Sequence, residues 1–239
     1  VICLQEVRHV EGRIPNQAAT LAAALGGMAW TYEPAQQWGG GEEGVGILSR
    51  WPLEQRAMCE LPTAEGRSRR VCLGAHVCAP TGARVWVYTT HLAWRLDDGL
   101  LREQQVLAVD AFVRRRPGPW ILAGDFNATP DADEVRFLRG RTTLAGRRTY
   151  HQDAFACCNP GAPGVTWARE NPYTRQLHWL EPDRRLDYVF VSPVTREGVG
   201  RVRACRRVLT RPDTRGVWCS DHFGVLAEVC LTDRGEVGC

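Results

Sequence analysis

Trp120-Ile121-Leu122-Ala123-Gly124-Asp125-Phe126-Asn127-Ala128-Thr129-Pro130 is the stretch around which this chain is organised. Its apolar start follows Pro117 and Pro119 and predicts a buried strand that ends in a turn. Alternate side chains of a strand share a face, so Asp125 and Asn127 are expected to point the same way, with Phe126 turned to the core. Gly124 has no Cβ and is expected to let a ligand approach the backbone. Thr129, Pro130 and the acids after them predict a helix start, with Thr129 as N-cap. A carboxylate and a carboxamide at the end of a buried strand suit a hard cation, a polarised water and a phosphoryl oxygen. The plain alternative is an Asx-rich turn that only caps a helix.

Around this stretch the composition is that of an ordinary globular protein: 239 residues, 44% hydrophobic and 24% charged, enough for a sizeable core. No run is long enough to span a membrane, and no signal-peptide pattern opens the chain. Val1-Ile2-Cys3-Leu4 starts as if inside a strand, so an upstream strand and any targeting segment are expected to be missing. A cytoplasmic monomer is the expectation, with secretion left open. A net charge of +3 is too small to argue for a nucleic-acid partner. All 30 basic residues are arginine, which reads as a coding bias and carries no functional weight. None of the ten cysteines forms a C-x-x-C pair, and adjacent Cys157 and Cys158 cannot easily bridge, which argues against zinc. Reduced, buried thiols are expected, with Cys72 and Cys78 on one face of a strand.

In chain order, Val1 to Leu4 predicts a strand, Asn16 to Leu25 a helix closed by Gly26-Gly27, and Met28 to Tyr32 a short strand. Gly39 to Gly44 reads as a loop and Val45 to Ser49 as a strand. Arg67 to Cys78 and Arg84 to Thr90 make a hairpin around Ala79-Pro80-Thr81-Gly82. Gly99 to Arg115 has helical spacing, as does Pro130 to Arg139, with a further helical turn near Asp153. Val165 to Trp167, Leu186 to Val191, Arg201 to Leu209 and His222 to Leu231 read as strands, and Glu170 to Asp183 as a polar, aromatic-bearing loop. Hairpins beside strand–helix–strand units, with no linker or repeat, predict one α/β (α+β) domain over residues 1–239, with mixed sheets covered by helices.

Polar residues gather where apolar strands end: Glu6, His91, Asp125 with Asn127, Asp187, and Asp221 with His222. Each has a dull explanation, such as a solvated strand end for Glu6 or pairing of Asp187 with Arg184 or Arg185. Together, carboxylates facing one another would repel unless a cation or an imidazolium lay between them.

Leu4-Gln5-Glu6-Val7, Gly44-Val45-Gly46-Ile47-Leu48-Ser49, Thr90-His91-Leu92, Gly124-Asp125-Phe126-Asn127, Arg185-Leu186-Asp187-Tyr188-Val189-Phe190 and Ser220-Asp221-His222-Phe223 resemble the ordered motifs of the endonuclease/exonuclease/phosphatase superfamily. The resemblance implies a DNase-I-like four-layer sandwich, two mixed β-sheets flanked by helices, and Mg²⁺-dependent cleavage of phosphate esters, with Mn²⁺ as an alternative ion. It implies Glu6 as a principal metal ligand and Asp221 as a carboxylate near the metal. Asp125 and Asn127 would position the attacking water, and His91 would donate to the phosphoryl oxygens. His222 would act as base or polarise the phosphate, oriented by Asp187.

Two departures stand out. The family's first motif, a strand carrying an asparagine, would lie upstream of Val1. Thr90-His91-Leu92, followed by Arg102-Glu103-Gln104-Gln105, resembles the phosphodiesterase, sphingomyelinase and phosphatase branches rather than the abasic-site nucleases. The expectation is a phosphodiesterase or phosphatase acting on a lipid head group, nucleotide or nucleic acid. A nuclease is the enzyme alternative, and a catalytically weak binding protein the alternative of another class. Substrate choice is expected from the loops at Trp94 to Gly99 and Glu170 to Asp183, through Trp94, Tyr173, Arg175 and Trp179 with His178. Ordinary packing is the plain reading of those aromatics.

Overall fold

The computed structural model describes residues 1–174 and 183–232. In chain order its elements are β1 (Ile2–His9), α1 (Gln17–Ala24), β2 (Ala29–Trp38), β3 (Gly41–Ser49), β4 (Leu53–Glu60), β5 (Val71–Cys78), β6 (Arg84–His91) and α2 (Gly99–Val113). They continue with β7 (Trp120–Asp125), α3 (Asp133–Leu138), β8 (Gln152–Asp153), α4 (Ala154–Cys158), β9 (Asp187–Val191), β10 (Val202–Val208) and β11 (Gly224–Val229).

β7 is the spine of a six-stranded sheet in the order β4-β5-β6-β7-β9-β8. β6 and β7 run parallel, and α2 supplies the crossover that parallel neighbours need. Strand alternation then divides the side chains. Trp86, Tyr88, Trp120 and Leu122 face outward and bury the apolar side of α2, including Val106, Val109 and Phe112. Each such side chain, once fully buried, contributes about 1.5–3 kcal/mol. The opposite face is covered by a three-stranded antiparallel sheet, β1-β3-β2, where Ala35, Val45 and Ile47 meet Val71, Leu73 and Ala75 of β5. The β10–β11 pair covers the rest of that face, over Ile121, Ala123, Val189 and Val191. α1 closes the outer side of the small sheet through Ala18 and Ala22 against Val7 and Leu48. The layers are therefore α1, a β layer in two pieces, the central sheet, and α2 with α3. None of the described helices is long and apolar enough to cross a membrane.

Several expectations shift. Gly41 to Gly44 belong to β3 rather than to a loop, because the strand passes so close to its neighbour that a Cβ on Gly44 would strike the Glu33 carbonyl. β4 is a strand that its run of exposed polar side chains conceals, since it lies at the edge of the central sheet. The helix after the spine starts at Asp133 with Ala132 as N-cap; Thr129 instead accepts the Ala132 amide in a turn. Val165 to Trp167 form no strand, only bridges from Trp167 to Arg184 and His222. The nine described cysteines are all free thiols.

Candidate active site

His91, Asp125 and Asp187 stand in one register row: His91 opposes Asp125 across the parallel pair, and Asp125 opposes Asp187 across β7 and β9. Their side chains share the face that carries Val87, Ala123 and Val189, so the row opens between the two β layers. Asp187 is the first residue of β9, not the last of a strand, because β9 runs antiparallel to β7. The loop before β11 brings His222 to this row. Its Nδ1 lies 2.8 Å from Asp187 Oδ2, and its Nε2 lies 4.0 Å from Asp125 Oδ2. His91 Nε2 comes within 3.5 Å of the same Asp125 oxygen.

Burial and crowding set the charges. The Asp125 carboxyl is pushed up to about 7, first by burial and then by Asp187, against the pull of His222. Burial disfavours the His222 imidazolium, but Asp187, Asp125 and Asp221 outweigh it and raise the ring to about 10. His91 is driven well below its ordinary value by burial and by Arg70 and His222, so its contact with Asp125 is that of a neutral imidazole. Glu6 sits in a β-bulge of β1 with φ 53°, a conformation that costs a residue with a side chain about 1–3 kcal/mol. Although Glu6 is exposed, its carboxyl is raised first by the surrounding protein and then by Glu43 and Asp221.

After Asp125 the spine departs from plain strand geometry. β7 ends at Asp125, and Asn127 has φ 49°, so strand alternation does not place it beside Asp125. Its amide N donates to Asp125 Oδ1 at 2.8 Å and its Nδ2 to the Leu92 carbonyl at 3.2 Å: the Asx turn is real, and it braces the His91–Asp125 end of the row. Gly124 serves its neighbour strand, since a Cβ there would strike the Thr90 carbonyl. Trp94 and Tyr173 remain 59% and 54% exposed, on the segments after His91 and after Asn171. Arg175, His178 and Trp179 lie outside the described residues.

A family model described as Endonuclease/Exonuclease/phosphatase family matches residues 1–222. The chain belongs to that family. Its members are generally hydrolases of phosphate esters. A solved endonuclease/exonuclease/phosphatase from Beutenbergia cavernae DSM 12333 superposes with a TM-score of 0.70 at 23% identity, covering 96% of this chain and 62% of that one. Humanized D. rerio TDP2 gives 0.67 at 20%, over 93% and 82% of the two chains. The human Nocturnin catalytic domain with bound sulfate anion gives 0.63 at 17%, over 95% and 80%. At these identities the likeness is one of fold. Comparison of the sequence with curated proteins gives no match.

Members of the endonuclease/exonuclease/phosphatase family typically use divalent metals, and the donor set here fits one. The Asp125 and Asp187 carboxylates lie within 4.8 Å of each other and of the His222 ring, and Glu6 and Asp221 add carboxylates to the same field; His222, held as imidazolium, is not itself a metal donor. Crowded hard carboxylate oxygens suit Mg²⁺ or Mn²⁺.

Four further residues carry no sequence signal that singles them out. Arg70 is 3% exposed beside this cluster, and Glu43, which accepts from Gln36 at 2.6 Å, lies next to Glu6 in the field. Thr166 Oγ1 accepts the Leu186 and Asp187 amides at 3.0 and 3.2 Å, while its carbonyl accepts the Phe223 amide at 2.7 Å. Asn171, fully buried, donates to the Ser220 and Asp221 carbonyls at 2.8 and 3.0 Å. These two residues hold the start of β9 and the His222 loop to one another.

Proposed function

We propose that the chain is a divalent-metal-dependent phosphoric ester hydrolase, most readily a phosphodiesterase or phosphatase. The observation that supports this best is the buried Asp125 between two histidines and Asp187. A carboxyl with proton affinity near neutrality is matched to deprotonating a water. Asp125 takes the proton of the attacking water, and Asn127 fixes the Asp125 carboxylate through its amide. His222, kept as imidazolium by Asp187, holds a phosphoryl oxygen as negative charge grows on it. Neutral His91 donates a hydrogen bond to the same group. Glu6 and Asp221 would hold Mg²⁺, with Mn²⁺ as substitute, which supplies charge neutralisation at the phosphate. Trp94 and Tyr173, with Arg175 and Trp179, bear on substrate choice. The test is hydrolysis of bis-p-nitrophenyl phosphate with Mg²⁺, with EDTA, and by Asp125→Ala and His222→Ala. Turnover that EDTA leaves intact, or that survives in either variant, would end the proposal. A panel of oligonucleotides, nucleotides and lipid head-group esters then ranks substrates.

A further inference from the structure

Arg70 is the last residue before β5, whose Cys72 opposes Thr90 next to His91. Its neighbours in sequence are partnered. Arg67 binds Asp97 and Asp98 at 2.8 and 2.5 Å, and Arg69 binds Glu60 at 2.9 Å and the Pro34 carbonyl at 2.7 Å. Arg70 is only 3% exposed, yet no hydrogen bond or ion pair of its guanidinium exists among the described residues, and its Nε is fully enclosed without a partner. An arginine does not shed its charge to escape burial, so a nearly buried guanidinium with no partner among the described residues is a standing cost. Asp125, Glu43, Glu6 and Asp98 attract it from a distance, but burial outweighs them. The field of Arg70 reaches His91 as well. A guanidinium kept at this cost beside Asp125, Glu6 and His91 leaves room for an anion that arrives from outside.

We propose that Arg70 is a substrate-contacting residue, whose planar fork takes two non-bridging oxygens of the phosphoryl group beside His91 and Asp125. This rests on the phosphate-ester function proposed above. A carboxylate of the chain would have sealed the fork permanently, whereas a phosphoryl group matches it bidentately and leaves after reaction. The contact is with the phosphate itself, so it is shared by free phosphate, a head-group ester and a nucleic-acid backbone.

The experiment compares the full chain with Arg70→Met and Arg70→Lys in three measurements. Calorimetry with inorganic phosphate reads binding; thermal unfolding without phosphate reads stability; hydrolysis of bis-p-nitrophenyl phosphate, a dinucleotide and glycerophosphocholine reads kcat and KM. Loss of a hydrogen-bonded charge contact corresponds to about ten- to a hundredfold. Arg70→Met should weaken phosphate binding and lower kcat/KM by that factor. It should unfold no earlier than the wild type without phosphate, and Arg70→Lys should recover part of the binding. An equal loss on all three esters locates the contact at the phosphate; a loss confined to one would overturn that shared contact. Wild-type phosphate affinity and KM in Arg70→Met, or early unfolding of both variants, would overturn the assignment while leaving the hydrolase intact. A wild type that neither cleaves the esters nor binds phosphate would bring down the function and the Arg70 assignment together.

Discussion

His222 Nδ1 and Asp187 Oδ2 meet at 2.8 Å, joining the start of β9 to the loop before β11. The pair makes the imidazolium the stable form of the ring, because Asp187 is the foremost group raising it. Asp187→Asn keeps the shape and removes the charge. It should lower the His222 pKa, followed by NMR titration, and reduce kcat by about 10²–10⁴-fold with little change in KM. An unmoved His222 titration would show that Asp187 does not set its charge.

The pH–rate profile should be bell-shaped in its two essential groups. Asp125 must be ionised to accept a proton, so activity rises as pH passes about 7. His222 must be protonated, so activity falls as pH passes about 10. Raising the Mg²⁺ concentration should move the lower limb to more acid pH, since a cation favours the carboxylate. A profile with no acid limb, or one indifferent to Mg²⁺, would remove Asp125 from the role of base.

Stability carries the same signature with its own sign. The folded-state pKa of His222 is raised from 6.5 to about 10, so the folded chain binds the extra proton. That contribution is fully present below 6.5 and is lost as pH rises through about 10. Thermal unfolding of the metal-free protein should therefore occur at falling temperature across that window. His222→Gln should flatten the slope, and an unchanged slope would assign it to other groups.

Much of this site is legible in the sequence, for a physical reason. Polar residues that end apolar strands have few places to go, and His91, Asp125 and Asp187 fall into one register row. What the pattern cannot carry is where a strand stops: alternation pairs Asn127 with Asp125, but its φ of 49° turns the backbone away. Gly124 is similar, because its close approach is to Thr90 on the neighbouring strand. Arg70, Thr166 and Asn171 are unreadable for a different reason. Their importance lies in partners distant along the chain, such as Ser220, 49 positions from Asn171, or in having no partner among the described residues.

Thr166 gives the sharpest test of how the fold positions the chemistry. Its hydroxyl accepts two amides at the start of β9, and its carbonyl accepts Phe223, the residue after His222. Thr166→Val keeps the volume and the backbone bonds but leaves the Leu186 and Asp187 amides unpaired, at about 1–3 kcal/mol for each such buried donor. The chain can regain part of this by shifting Asp187, and a misplacement of that kind costs up to about 10²-fold in rate. Thr166→Val should therefore lower kcat more than it raises KM and should lower the His222 pKa, because the Asp187 contact loosens. Thr166→Ser restores the acceptor and should recover both. A valine variant that loses stability alone, with kcat and the His222 titration unmoved, would reduce Thr166 to a support of the fold and leave the alignment of Asp187 with His222 to Asn171.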